Sequence, residues 1–382
     1  MKIRFPWSHP GQVIRALVAV GLVEAARNAF LIGILSSATG QEYLGVNKAA
    51  AGLLYSLHLF ADLFLKGPTA WISNRLGFGR ILLFSSVSAL FFTTTILGST
   101  SLPLWLLLVL WGFLVSPLWP SVLAFANSRA IPGKESRAAT WAFAFSAPLA
   151  GLSGIAMVYL YPAKPELGAQ ILYWGQMVTI LFAITLVSLK IPLIKKKELG
   201  YRWTKLAILL PAAFCQQLAP SLFNPVLSTY LHEMKLGPLM LGITVVIGAV
   251  VGFFLMHQGA RFADRRGPRA VLILGVALMA TTGFFLARQD PSFFPWIGLL
   301  AGAAISLFVA GWNGLVVQVL PQAERATAWG VLMSVEALGQ TAGPTLGSLA
   351  LAEFGLQGPF ILAAYIMVAV GVFYLWDFWR SR

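Results

Sequence analysis

The sequence predicts an all-α membrane protein with twelve transmembrane helices in two pseudo-symmetric halves of six. Three observations carry that expectation. Of the 382 residues, 58% are hydrophobic and 10% charged, whereas soluble domains carry about 25% charged residues. The apolar runs are long enough to cross a bilayer, which takes about 20 residues each. Short motifs of the first half also recur in the second.

By length and hydropathy the spans are expected at 11–36, 46–73, 79–98, 102–127, 138–161, 168–192, 205–231, 238–262, 269–288, 293–318, 326–351 and 357–379. Pro117, Pro120, Pro148 and Pro344 fall inside spans. Such prolines suit bent membrane helices, where neighbouring groups satisfy the freed backbone. The basic start, Met1 to Pro10, runs into a first span that holds Arg15, Glu24 and Arg27. It lacks a small-residue cleavage pattern and reads as a retained span. Cys215 is the single cysteine, so no intrachain disulfide can form.

The formal charge is +14. Its distribution matters more than its size. Arg75, Arg80, Arg129, Lys134, Arg137, Lys195, Lys196, Lys197, Arg261, Arg265, Arg266 and Arg269 share one side of the predicted topology. Lys48, Lys164, Lys235 and Arg288 hold the other. The richer side is cytoplasmic by the positive-inside rule, and both termini fall on it. This bias accounts for the basic charge and removes nucleic acid as a partner. The basic stretch 194–205 divides the chain into an N-terminal half, 1–193, a cytoplasmic linker, and a C-terminal half, 206–382.

The halves echo each other. Asn74-Arg75-Leu76-Gly77 corresponds to Asp264-Arg265-Arg266-Gly267, and Ala147-Pro148-Leu149-Ala150-Gly151 to Gly343-Pro344-Thr345-Leu346-Gly347. Each pair is separated by about half the chain. Internal repeats of this kind mark secondary transporters, whose sites lie near the midplane.

On these residues the chain resembles the major facilitator superfamily. Arg261-Phe262-Ala263-Asp264-Arg265-Arg266-Gly267-Pro268-Arg269 is similar to its cytoplasmic loop motif, and the first-half copy has Asn74 where the family usually has Asp. Gly339, Gly343, Pro344 and Gly347 resemble the antiporter proline motif, but in span 11 rather than span 5. Leu22 to Arg27, Ser56 to Asp62, Val115 to Trp119, Trp312-Asn313 and Thr327 to Val331 resemble the lipoteichoic-acid glycolipid flippases. That resemblance implies a polar pocket lined by Glu24, Arg27 and Asp62, coupled to protons, with Trp119 as a pocket aromatic. A second pocket tryptophan of the family is missing, and Ala147 lies near its position.

The residues can also be read on their own. His58, Asp62 and Lys66 are four apart on one helix face, and Glu24 and Arg27 are three apart on another. A carboxylate at bilayer depth costs about 2.5–3.5 kcal/mol on insertion scales, so it faces water or a partner. Asp62 and Glu24 are the expected proton-coupling acids. Arg27, His58, Trp119, Asn224, Trp312 and Asn313 are the expected substrate-binding residues. The competing reading of Asp62 is a permanent ion pair with Lys66 or Arg27. Lys66 is expected to snorkel toward the cytoplasmic surface, Trp111 to serve packing, and Glu336 to hydrogen-bond between helices. Asp264, Arg265, Arg269 and Arg75 form an expected conformational latch.

Together these readings predict a transporter, not an enzyme, working by alternating access without a cofactor other than the proton gradient. No metal-ligand cluster or nucleotide loop is present in the sequence. The expected substrate is a lipid or lipophilic small molecule, specifically a glycolipid flipped between leaflets. A drug/proton antiporter is the alternative, and a membrane receptor or scaffold the third reading. The expected setting is the cell membrane, as a multi-pass monomer among membrane lipids.

Overall fold

The computed structural model describes residues 5–35, 37–98, 101–190, 203–223, 230, 233–235, 237–288, 290–320 and 325–380. Its helices are α1 (Pro10–Asn28), α2 (Ala38–Tyr43), α3 (Lys48–Leu76), α4 (Phe78–Leu97), α5 (Leu104–Val115), α6 (Leu118–Ser128) and α7 (Glu135–Ala163). They continue with α8 (Pro165–Ile184), α9 (Leu210–Ser221), α10 (Pro238–Arg266), α11 (Pro268–Ala287), α12 (Phe294–Val319), α13 (Arg325–Phe354) and α14 (Gly358–Arg380). Helix is the form these runs must take, because hydrocarbon offers the backbone no partner.

Among the described residues, nine helical runs are long and apolar enough to cross a membrane. The last, Ala328–Arg380, covers most of α13 and all of α14, and two shorter apolar runs are Leu53–Leu63 and Leu206–Ser221. Dividing the last run and adding the shorter two returns the twelve expected spans.

Local chemistry explains where helices depart from the expected continuous runs. The span at 102–127 is two helices, α5 and α6, broken at Ser116–Pro117. Pro117 and Pro120 each lack an N–H, so the helical bonds to the carbonyls of Phe113 and Ser116 cannot form. The Ser121 hydroxyl then donates to the Pro117 carbonyl. The first span passes from α1 into a π-helical stretch, Ala29–Ile34, directly after Arg27. Single π turns are a known mark of functional positions. The repeated basic junctions share one geometry. Gly77 has φ +87° and Gly267 has φ +97°, values that glycine adopts without a Cβ clash.

By contacts the chain falls into two compact units. Unit 1 holds residues 1–130, 141–201 and 321–334; unit 2 holds 131–140, 202–320 and 335–382. In unit 1, α3 packs on α5, α4 on α8, and α1 on α6 and α8. Phe78 stacks on Phe125 with centroids 5.0 Å apart. In unit 2, α12 packs between α10 and α11, and α14 covers α11 and α9. Tyr230, Phe294, Ile297 and Phe360 form a core there. Large apolar side chains stay outside, among them Phe84, Phe91, Trp174, Leu181, Val246, Phe254 and Trp376. In a bilayer these face lipid tails and lose nothing by exposure.

Candidate functional site

Glu24, Arg27, Asp62 and Lys66, which the sequence places inside spans, meet in unit 1. Arg27 on α1 is the centre. Its Nε donates to His58 Nε2 at 2.9 Å, and its Nη2 donates to Asp62 Oδ2 at 3.0 Å. Its Nη1 lies 3.3 and 3.4 Å from the two Glu24 oxygens. Lys66 Nζ sits 3.0 Å from the same Asp62 oxygen. The result is an ionic chain, Glu24–Arg27–Asp62–Lys66, with two acids and two bases. All four residues are buried, and Asp62 is 3% exposed. Asp62 therefore has partners in place of water. Both ion pairs that competed with its proton-coupling role, to Arg27 and to Lys66, are made together.

His58 is fixed from both ring nitrogens. Nε2 accepts from Arg27, so Nδ1 carries the proton and donates to the Leu108 carbonyl at 2.8 Å. That is a neutral imidazole in one tautomer. Trp111 packs edge-on against His58 with centroids 5.2 Å apart, and against Phe30 at 5.6 Å. Helix α5 reaches this close to α3 because residue 112 is glycine. A Cβ at Gly112 would stand 2.4 Å from the His58 carbonyl oxygen. The Ser116 hydroxyl, at the α5–α6 break, donates to the Asp62 carbonyl at 2.9 Å. The proline break thus supplies a hydrogen bond to the α3 backbone beside the acid.

Two expectations change here. Lys66 does not snorkel; it is buried with its ammonium on Asp62, because an adjacent carboxylate one turn away holds it more closely than a distant surface. Two of the residues expected to form a latch, Asp264 and Arg269, pair with residues outside that set. Asp264 Oδ2 accepts from Arg137 Nε at 2.6 Å, and Arg269 Nε donates to Asp377 Oδ2 at 2.7 Å. Arg265 is exposed, and so is Arg75. The turn at Gly267 ends α10 and begins α11, so Arg269 reaches α14 rather than Asp264. No spacing in the sequence points to Arg137 or Asp377 as these partners.

The remaining expected substrate residues are placed variously. Trp119 is half-buried on α6 and stacks on Phe143 of α7, with centroids 5.4 Å apart. Trp312 packs in unit 2 against Phe308. Asn313 is 0% exposed, and neither its amide nitrogen nor its oxygen has a hydrogen-bond partner. Asn224 lies outside the described residues. In unit 2 the buried acid Glu336 accepts from the Gln216 amide, a bond between α13 and α9.

Comparison with known proteins places this geometry in context. Residues 209–382 match the model of the Major Facilitator Superfamily. The chain is 25% identical over 178 residues to multidrug resistance protein 2 of Bacillus subtilis (strain 168), covering 46% of this chain and 44% of that protein. It is 26% identical over 160 residues to the quinolone resistance protein NorA of Staphylococcus aureus (strain MRSA252), covering 40% and 41%. The chain thus spans less than half the length of these curated relatives. Among solved structures, the human organic anion transporter MFSD10 aligns with TM-score 0.76 at 16% identity, over 96% of this chain and 99% of that one. The proton:xylose symporter XylE aligns with TM-score 0.74 at 13% identity, over 97% and 96%. At such identities the structural likeness shows the fold.

Proposed function

We propose that this chain, a multi-pass membrane protein with the major facilitator superfamily fold, is a proton-coupled secondary transporter that carries an amphipathic substrate by alternating access. The observation that carries the reading is the buried ionic chain of unit 1. One proton on Asp62 removes the negative charge shared by Arg27 and Lys66. At an effective dielectric of 20, a charge pair at 4 Å is worth roughly 4 kcal/mol. Moving a two-state equilibrium from one side to the other takes about 5.5 kcal/mol. Protonation is therefore on the scale of a conformational switch. It also loosens the Arg27 Nη2 donor, which a phosphate or hydroxyl oxygen of a substrate headgroup can take, while Glu24 still holds Arg27.

The finer reading is a glycolipid flippase of the cell membrane, with both termini cytoplasmic. It is supported by the ionic chain inside unit 1 and the largely apolar core of unit 2, chemistries that suit a head and tails. The names of the multidrug and quinolone relatives support a second reading, export of a lipophilic cationic drug against protons. Arg27 argues against that substrate, because a guanidinium that loses its hold on Asp62 repels a cationic drug.

Proteoliposomes with an imposed pH gradient test both readings. The expected outcome is gradient-driven flipping of a fluorescent diglucosyl lipid, lost in Asp62→Asn. Movement of a cationic dye but not the lipid would select the antiporter. Undiminished gradient dependence in Asp62→Asn would remove proton coupling at this residue.

A further inference from the structure

We propose a second lipid site, separate from the ionic chain: a cleft between α4 and α8 that holds a bilayer glycerolipid by its ester region. The inference does not depend on the transport reading. The cleft has a volume of about 300 Å³. It lies at the end of α4 away from the basic Gly77 junction and at the beginning of α8. Thr93, Leu97, Ala169, Leu172 and Tyr173 line it, and Thr94 and Gln170 are its exposed polar members.

The surrounding faces of the same two helices say what medium fills it. Phe84, Val87 and Phe91 on α4, and Ile171, Trp174, Val178 and Leu181 on α8, are all exposed. In a spanning protein such faces meet hydrocarbon, so lipid is the medium at the mouth. Tyr173 and Trp174 sit edge to face, with centroids 5.2 Å apart. Tyrosine and tryptophan collect at the membrane interface, where headgroups lie.

Behind this apolar wall is an unmet polar group. Gln176 shares the α8 face of Ala169, Leu172 and Tyr173 by helical spacing. It is 2% exposed, and its Nε2 has no hydrogen-bond partner. Its Oε1 accepts from Thr93 Oγ1, a wall of the cleft, at 2.9 Å. Burying an amide N–H without a partner is costly. The Thr93 hydroxyl has other acceptors, the Ala89 carbonyl at 2.9 Å and the Leu90 carbonyl at 3.2 Å. Its one hydrogen can serve either carbonyl, so it can leave Gln176 without losing a bond. Gln176 lies three residues beyond Tyr173, roughly 4.5 Å deeper along the helix. Ester carbonyls lie at that depth below the headgroups. They are acceptors without protons, which is what a free amide N–H requires.

Native mass spectrometry of the full chain, released from proteoliposomes, tests the site with two probes: a diacyl phosphatidylglycerol and its dialkyl-ether analogue, which lacks the carbonyl. The wild type is expected to retain the diacyl lipid about three- to tenfold better, as one hydrogen bond allows. Gln176→Leu should erase that preference and leave the ether lipid unchanged. Ala169→Trp, which fills the cleft, should reduce retention of both. Equal retention of both lipids by the wild type would overturn the proposal, as would a preference that survives Gln176→Leu. Retention that Ala169→Trp leaves unchanged means annular lipid only, and it too would overturn the site.

Discussion

Unit 1 and unit 2 carry the same repeated junctions, yet their described residues hold charge differently. Unit 1 gathers two acids and two bases around Arg27, each within 3.4 Å of a partner. Unit 2 buries Glu336 against the neutral amide of Gln216 and leaves Asn313 unmet inside α12. The ion pairs described in unit 2, Arg137–Asp264 and Arg269–Asp377, stand apart from each other, whereas those of unit 1 share atoms. We expect the linked charges of unit 1 to do more than hold helices together, and removing a single member tests that.

The largest expected effect is therefore at Asp62. Asp62→Asn should take gradient-driven flux to background. Breaking one partner from a buried ionic network costs up to about 3–5 kcal/mol, so thermal unfolding in detergent should show a clear loss as well. The double variant Asp62→Asn with Lys66→Met removes the stranded ammonium. It should recover much of the stability and none of the coupling. Recovery of both would make the chain a structural clamp and erase the contrast between the units.

Gly112→Ala comes next. Its Cβ would press on the His58 carbonyl, and overpacking of this kind costs about 1–3 kcal/mol. The expected result is a lower unfolding temperature together with slower transport, since α5 carries the Leu108 carbonyl that orients His58. Slower transport with unchanged stability would mean that the α3–α5 contact is not under strain.

A smaller effect is expected where charge reaches the surface. The Arg137–Asp264 pair is partly exposed on the arginine side, so solvent screens it. Arg137→Ala should cost about 0.5–1 kcal/mol, and exchanging the two residues should restore it. Thermal unfolding at low and high salt would check both, with the difference shrinking as salt rises.

The smallest effect should come from Glu336→Gln. An amide can replace the carboxylate as hydrogen-bond acceptor for Gln216, so stability should change by less than about 1 kcal/mol. The proton-to-substrate ratio, measured in proteoliposomes, should not change. A lower ratio would give unit 2 a titrating acid of its own and sharpen the comparison into one of two coupled sites.

Much of the site was legible because intramembrane charge is rare enough to notice. Glu24, Arg27, His58 and Asp62 stand out in apolar runs, and their three- and four-residue spacing places them on helix faces. For Lys66 spacing falls short for a physical reason: it allows both a snorkelling ammonium and an ion pair one turn back, and only side-chain geometry separates them. Trp312 and Asn313 were legible as unusual residues, but not as enclosed ones.

By itself, the sequence determined the membrane class, the number of spans and the repeated junctions. Those follow from local quantities: the length of an apolar run, the absence of charge, and a glycine where the chain must turn. Tertiary structure alone decided that Arg27 is shared by two carboxylates and a histidine, that Arg137 rather than Arg265 meets Asp264, and that Gln176 keeps an unmet amide behind a lipid-facing cleft. Each of these depends on which helices become neighbours and how closely they approach. That is settled by packing among residues far apart in the chain, and local spacing carries no record of it.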